Sequence, residues 1–138
     1  MQAAATAAAA APPRLRDAFL LRRALLYRHS ARPYHARVVL RHVLARSPAT
    51  DAAWALLSDI EHYELGRASG TGGYFEARTV LQDACGLAGD RLKMRQLLLL
   101  LHAEHGQARA AAMCILDVHA GWPRASPLAY LLYVAGCR

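Results

Sequence analysis

Apolar residues in this chain recur every three to four positions, and Pro, Gly and capping residues cut the pattern into helix-length blocks. Pro12 and Pro13 end an Ala-rich start, and the spacing predicts a first helix over 14–30. Its apolar face is Leu15, Ala18, Phe19, Leu21, Leu25 and Leu26, with Arg16, Arg23 and Ser30 off that face and Arg22 inside it. Pro33 suits the first turn of a second helix, 33–46, whose stripe is Ala36, Val39, Leu40, Val43 and Leu44. After the break at Pro48, Thr50 or Asp51 caps a third helix, 51–65, stopped by Gly66. The segment GRASGTGG, 66–73, reads as a flexible loop. A fourth helix, 74–85, stops at Gly86. A fifth, 91–105, is capped by Asp90 and stops at Gly106. A sixth, 107–120, stops at Gly121. Ser126 and Pro127 open a seventh, 127–135.

The odd-numbered helices start near 14, 51, 91 and 127, a recurrence close to that of paired-helix repeats. A single hairpin cannot bury its apolar face alone, and stacking hairpins makes the core continuous. The expected fold is therefore all-α: a right-handed α-solenoid of about three helix-turn-helix repeats plus a C-terminal helix. Residues 1–13 form an Ala-rich tail and 14–138 the helical-repeat domain. The even helices share a local signature: HARVVL at 35–40, EARTVL at 76–81 and QARAAA at 107–112. Ala is small enough there for two helices to approach closely.

These residues resemble the tetratricopeptide superfamily and, within it, the half-a-TPR (HAT) repeat. That repeat combines a Trp and then a Glu in its first helix with Ala-Arg in its second and Pro near its end. The second unit carries Trp54, Glu61, Ala77 and Arg78. The first supplies Ala36, Arg37 and Pro48, and the third Glu104, Ala108, Arg109 and Pro123. The first unit lacks the Glu, and the first and third lack the Trp. HAT, plain tetratricopeptide and pentatricopeptide-like units all stay open. The resemblance implies an assembly role, through protein partners or in an RNA-processing complex.

Composition sharpens this picture at one end of the chain. Residues 1–50 hold nine Arg and a single acid, Asp17, a net charge of +8; residues 51–138 hold eight basic residues and nine acids, a net of −1. An Arg-rich, acid-poor, amphipathic start has the character of a mitochondrial transit segment. Its positive charges follow the apolar run, the reverse of a secretory signal. The longest run of large apolar residues, Leu97 to Leu101, is far shorter than the roughly 20 residues a membrane span needs. Three Cys without a CxxC pair suggest a reducing compartment rather than a disulfide framework.

Candidate chemistry is sparse. His102 and His105 flank Glu104, but there is no HExxH and no zinc-spaced ligand set. Each His reads as a helix-end or polar-face residue. Cys85, Cys114 and Cys137 read as buried structural thiols, and no GxSxG or phosphate-loop motif is present. Glu61 shares a wheel sector with Trp54 and Leu57, so it needs a buried cationic partner, and Arg78 is the expected one. The basic positions Arg16, Arg22, Arg23, Arg28, Arg37, Arg41 and Arg46 outnumber local acids and are the candidate contact set for an acidic protein or RNA. The last helix is apolar almost all round, which suggests that a partner covers it. The sequence thus points to a non-enzymatic scaffold subunit without cofactor, metal or small-molecule substrate. A mitochondrial ribonucleoprotein such as the mitochondrial ribosome is the expected host, and an RNA-binding factor in RNA processing is the alternative.

Overall fold

A computed structural model describes residues 13–68 and 72–121. Six helices occupy them: α1 (Pro13–His29), α2 (Pro33–Arg46), α3 (Asp51–Asp59), α4 (Tyr74–Leu87), α5 (Arg91–Glu104) and α6 (Ala108–Gly121). There is no strand among the described residues. Each helix packs chiefly on its neighbours in the chain, with a weaker contact between α3 and α5. The seventh helix and the partner-covered face placed on it lie outside the described residues.

The ends of the helices follow local chemistry. Pro33 opens α2, and the Asp90 side chain accepts the Lys93 N–H to cap α5. At the end of α5, Gln107 N–H bonds His102 C=O and Gly106 N–H bonds Ala103 C=O, with Gly106 at φ +67°. That is the Schellman closure, which needs a left-handed residue. The end of α1 has the same pair of bonds, Arg32 to Tyr27 and Ala31 to Arg28, but the left-handed residue is Ala31, at φ +57°.

Three details differ from expectation. The fourth helix runs through Gly86 to Leu87, because Gly86 is exposed and meets no special turn. Thr50 holds the N-cap place of α3 without capping it; its hydroxyl donates to Ser47 C=O. Asp51 instead accepts the N–H groups of Gly89 and Asp90, tying the start of α3 to the turn before α5. Beyond Asp59 the third helix widens into a π-helical turn, Ile60–Leu65, then tightens into a 3-10 turn, Gly66–Ala68. Three successive residues in that π turn, Ile60, Glu61 and His62, are all buried. Where the 66–73 segment closes, a Cβ on Gly66 would sit 2.2 Å from Gly73 Cα, so the two backbones touch.

One continuous core joins α1 to α5. Ala36, Leu40, Val43 and Leu44 of α2 are buried as the stripe predicts, and so are Trp54 and Leu57 of α3. The facing of α1 is a correction. Its core residue is Ala24, supported by Leu20, Leu21 and Tyr27, while Leu15, Phe19, Leu25 and Leu26 are exposed. Helix α1 has apolar residues on most of its circumference, and it turns its small Ala24 toward α2 for close approach.

Candidate functional site

Two grooves of similar size run along one side of the helix stack. The first, about 580 Å³, has α2 and α4 as banks and α3 as floor; the second, about 540 Å³, has α4 and α6 as banks and α5 as floor. Their linings correspond position by position. Arg37, Arg41 and Leu44 of the first become Arg78, Gln82 and Cys85 of the second, each 41 residues later. The floor shifts by the same 41, from Trp54, Leu57 and Glu61 to Arg95, Leu98 and His102. The far banks are offset by 34: Glu76, Thr79, Val80 and Asp83 become Ala110, Met113, Cys114 and Asp117.

Glu61 is the buried acid that its wheel position demands, 3 % exposed, but its partner is Arg37 and not Arg78. Arg37 Nε donates to Oε1 at 2.6 Å and NH2 donates to Oε2 at 2.9 Å, a two-point clamp. Bonding to Glu61 raises the Arg37 pKa above its ordinary value, against the opposing effect of burial. Both α2 and α4 pack on the π turn, and it is Arg37 of α2 that meets the carboxylate. Beside it, Trp54 Nε1 donates to Pro48 C=O at 2.7 Å.

Arg78 has the equivalent place in the second groove and no acid to meet. Its guanidinium lies over Phe75 at 4.8 Å and Tyr74 at 5.6 Å, and its buried Nε has no hydrogen-bond partner. The position corresponding to Glu61 is His102. That imidazole is buried, accepts or donates at Nδ1 with Tyr74 Oη 2.7 Å away, and has its pKa lowered by burial and then by the Arg78 charge.

His62 and His102 depart from the expected helix-end or polar-face role, being buried, whereas His29, His35 and His42 are exposed as expected. His62 Nε2 lies 2.7 Å from His105 Nε2, so one ring must donate while the other accepts. Tyr63 donates to Glu104, which ties that acid to the π turn. The Tyr74 ring packs 4.8 Å from His105. Together these groups fasten the π turn to the end of α5. Sequence periodicity gave no hint of them, because they meet through a helix terminus. No group of three His, Cys, Asp or Glu among the described residues could hold a metal ion.

The basic set divides in two. Arg28 pairs with Glu64 and, at 3.9 Å, with Asp59, so Arg28 and Arg37 are both supports bound to acids of α3 and its π turn. Arg23 lies against Tyr27, with NH2 to Oη at 3.0 Å. Arg22, Arg41 and Arg46 are exposed and Arg16 is half-buried. Of the Ala-Arg signatures, Ala36 and Ala77 are buried at helix crossings, but Ala108 and Arg109 are exposed. The 34-residue offset makes Ala111 and Ala112 the counterparts of Ala77 and Arg78, and Ala111 is the buried residue. Cys85 and Cys114 are half-buried thiols; burial pushes Cys114 up to about 11, far from reactive. Cys137 lies outside the described residues.

No family model matches this chain, and neither a curated protein nor a solved structure matches it. No helix among the described residues is long and apolar enough to cross a membrane.

Proposed function

We propose that this chain is a non-enzymatic helical-repeat adaptor, a subunit of a larger assembly. The observation that carries this is the outer surface of the first hairpin. Phe19, Leu26, Tyr34 and Val38 are each at least 50 % exposed there, more large apolar surface than a lone soluble hairpin needs. The repeat reading rests on the grooves. Their offsets of 34 and 41 are one period of 34, the length of a tetratricopeptide unit, with a seven-residue insertion at the 66–73 segment. Trp54-x2-Leu57-Ser58-x2-Glu61 followed by Ala77-x3-Leu81 fits that unit's spacing with substitutions at its small and Tyr positions. Right-handed stacking of about three such units is part of the same proposal.

A protein partner is favoured over RNA because Arg28 and Arg37 are consumed in ion pairs, which thins the basic face. The exposed Arg22, Arg41 and Arg46 support the RNA-binding alternative. The Arg-rich, acid-poor first third supports a mitochondrial host, a ribonucleoprotein such as the mitochondrial ribosome. Affinity purification of the tagged chain, with mass spectrometry of proteins and sequencing of bound RNA, tests these readings together. The adaptor reading expects a stoichiometric protein complex that survives nuclease and is lost in Phe19→Asp/Leu26→Glu at unchanged helix content. A chain that purifies alone overturns it. A complex dissolved by nuclease transfers the function to RNA.

A further inference from the structure

A third groove, between α1 and α2, repeats the other two with one wall missing. Its floor, Leu20, Arg23 and Tyr27, lies 34 residues before Trp54, Leu57 and Glu61, and its bank, His35, Val39 and His42, lies 41 before Glu76, Val80 and Asp83. Nothing among its described lining residues corresponds to Arg37, Arg41 and Leu44, with which α2 walls the first groove. The face of α1 beside that gap is open. Phe19 is 50 % exposed and Leu26 63 %, yet their counterparts are buried: Ala53 and Ile60 at 34 residues on, Met94 and Leu101 at a further 41. A solenoid end that faces water is expected to be polar instead. The register would put the missing wall at positions 3, 7 and 10 of this chain. Only two residues, 11 and 12, would then precede α1, where six, 45–50, follow Leu44 before α3, so that stretch cannot copy the path of α2 into α3.

We propose that the open face of α1 is the docking site for an amphipathic helix of a partner protein, apolar on one stripe and acidic beside it, seated as α2 is seated on α3. This rests on the adaptor reading and names the form and charge of its partner. The charge follows from two positions. Arg22 and Arg23 stand where α3 has Leu56 and Leu57 and α5 has Leu97 and Leu98. Arg22 lies three residues from Phe19 and four from Leu26, on the same exposed face, and pairs with no acid among the described residues. Arg23 is held by the neutral Tyr27 side chain. A helix with acids opposite these two guanidiniums pairs them while its apolar stripe covers Phe19 and Leu26. Residues 1–12 and 122–138 contain no acid, and the α1 of a second copy would oppose Arg to Arg. RNA phosphates would pair the Arg but leave Phe19 and Leu26 in water.

The test uses the full chain and a capped helical peptide, Ac-Ala-Leu-Glu-Glu-Leu-Leu-Glu-Ala-Leu-Glu-Glu-Leu-Leu-Ala-NH2, with a counterpart carrying Lys for every Glu. Affinity is read by titration, and contacts of the Phe19 ring by NMR. The Glu peptide is expected to bind at least tenfold tighter than the Lys peptide and to contact Phe19. Phe19→Gln/Leu26→Gln is expected to weaken it at least tenfold at unchanged helix content, and Arg22→Glu/Arg23→Glu to reverse the preference. Leu116→Gln, an equally exposed apolar position on α6, is expected to change affinity less than twofold. Equal binding of the two peptides, or binding indifferent to the Phe19 and Leu26 changes, overturns the proposal. So do Phe19 contacts to residues 1–12 or 122–138 in the free chain, a self-dimer lost on those changes, or capture by phosphatidylglycerol vesicles without response to the Glu peptide. Failure of the peptide with an intact stoichiometric complex sinks this assignment alone, whereas a chain that purifies alone sinks the adaptor reading.

Discussion

At the scale of single residues, the Arg37–Glu61 pair decides most. Glu61→Gln strands Arg37 in a partly buried site. The expected cost is about 2 kcal/mol, below that of a fully buried pair because a third of the Arg37 side chain is open to water. A double-mutant cycle in urea should give strong coupling of position 61 to Arg37 and coupling to Arg78 within about 0.5 kcal/mol of zero. Coupling to Arg78 instead would contradict the structure. Ala31 offers a change of opposite sign. Its left-handed backbone at φ +57° strains a Cβ, so Ala31→Gly should stabilise by about 1 kcal/mol despite the greater freedom of Gly in the unfolded chain. An unchanged or lower midpoint in chemical denaturation would count against that. The burial of Glu61 was legible in the sequence because Trp54 and Leu57 share its sector. Its partner was not, since a wheel gives a facing direction and two Arg stood within reach, one on each neighbouring helix.

At the scale of elements, the boundaries of α2 follow from two prolines, Pro33 at its first turn and Pro48 beyond its last. The facing of α1 was illegible for a different reason. Two overlapping arcs of that helix are apolar, and only the approach of α2 selects the one containing Ala24. The end of α3 shows a third case. No periodicity announces the π turn, and its register depends on the contact of Gly66 with Gly73. Gly73→Ala tests that dependence. The residue has φ +78°, and an added Cβ would meet His62 C=O at 2.5 Å. The expected loss is about 2 kcal/mol or more, read as a lower melting temperature, because strain and clash act together. A shift no larger than an exposed-surface substitution would show that the segment closes some other way.

At the scale of the whole molecule, the second and third hairpins are joined by protonation-sensitive contacts. Burial, and then the charge of Arg78, hold the His102 imidazole below its usual pKa of 6.5. The unfolded chain therefore takes up a proton there that the folded chain refuses. Stability is expected to fall as the pH drops through about 6.5 and to level off below the lowered value. Melting temperatures measured from pH 8 to pH 5 should decline in that window, and His102→Gln should flatten the decline. An identical slope in the variant would remove His102 as the cause. The order of the six described helices could be anticipated because each block carries its own start and stop signals. The correspondence of the two grooves could not, because one bank and the floor are offset by 41 residues and the far bank by 34, so no single spacing relates them.

The packing of each helix chiefly on its chain neighbour bears on how the protein is made. A nascent chain leaves the ribosome N-terminus first, and in this molecule every helix from α2 onward emerges with one packing partner, the helix before it, already made. No long loop must close before a contact is rewarded, so folding during synthesis meets little of the entropic delay that slows non-local topologies. The exceptions are ties that span α4: the Asp51 carboxylate waits for the Gly89 and Asp90 amides, and His62 and Tyr63 wait for His105 and Glu104. The growing chain can settle one helix at a time, with those ties completed only once the turn before α5, and then the end of α5, have appeared.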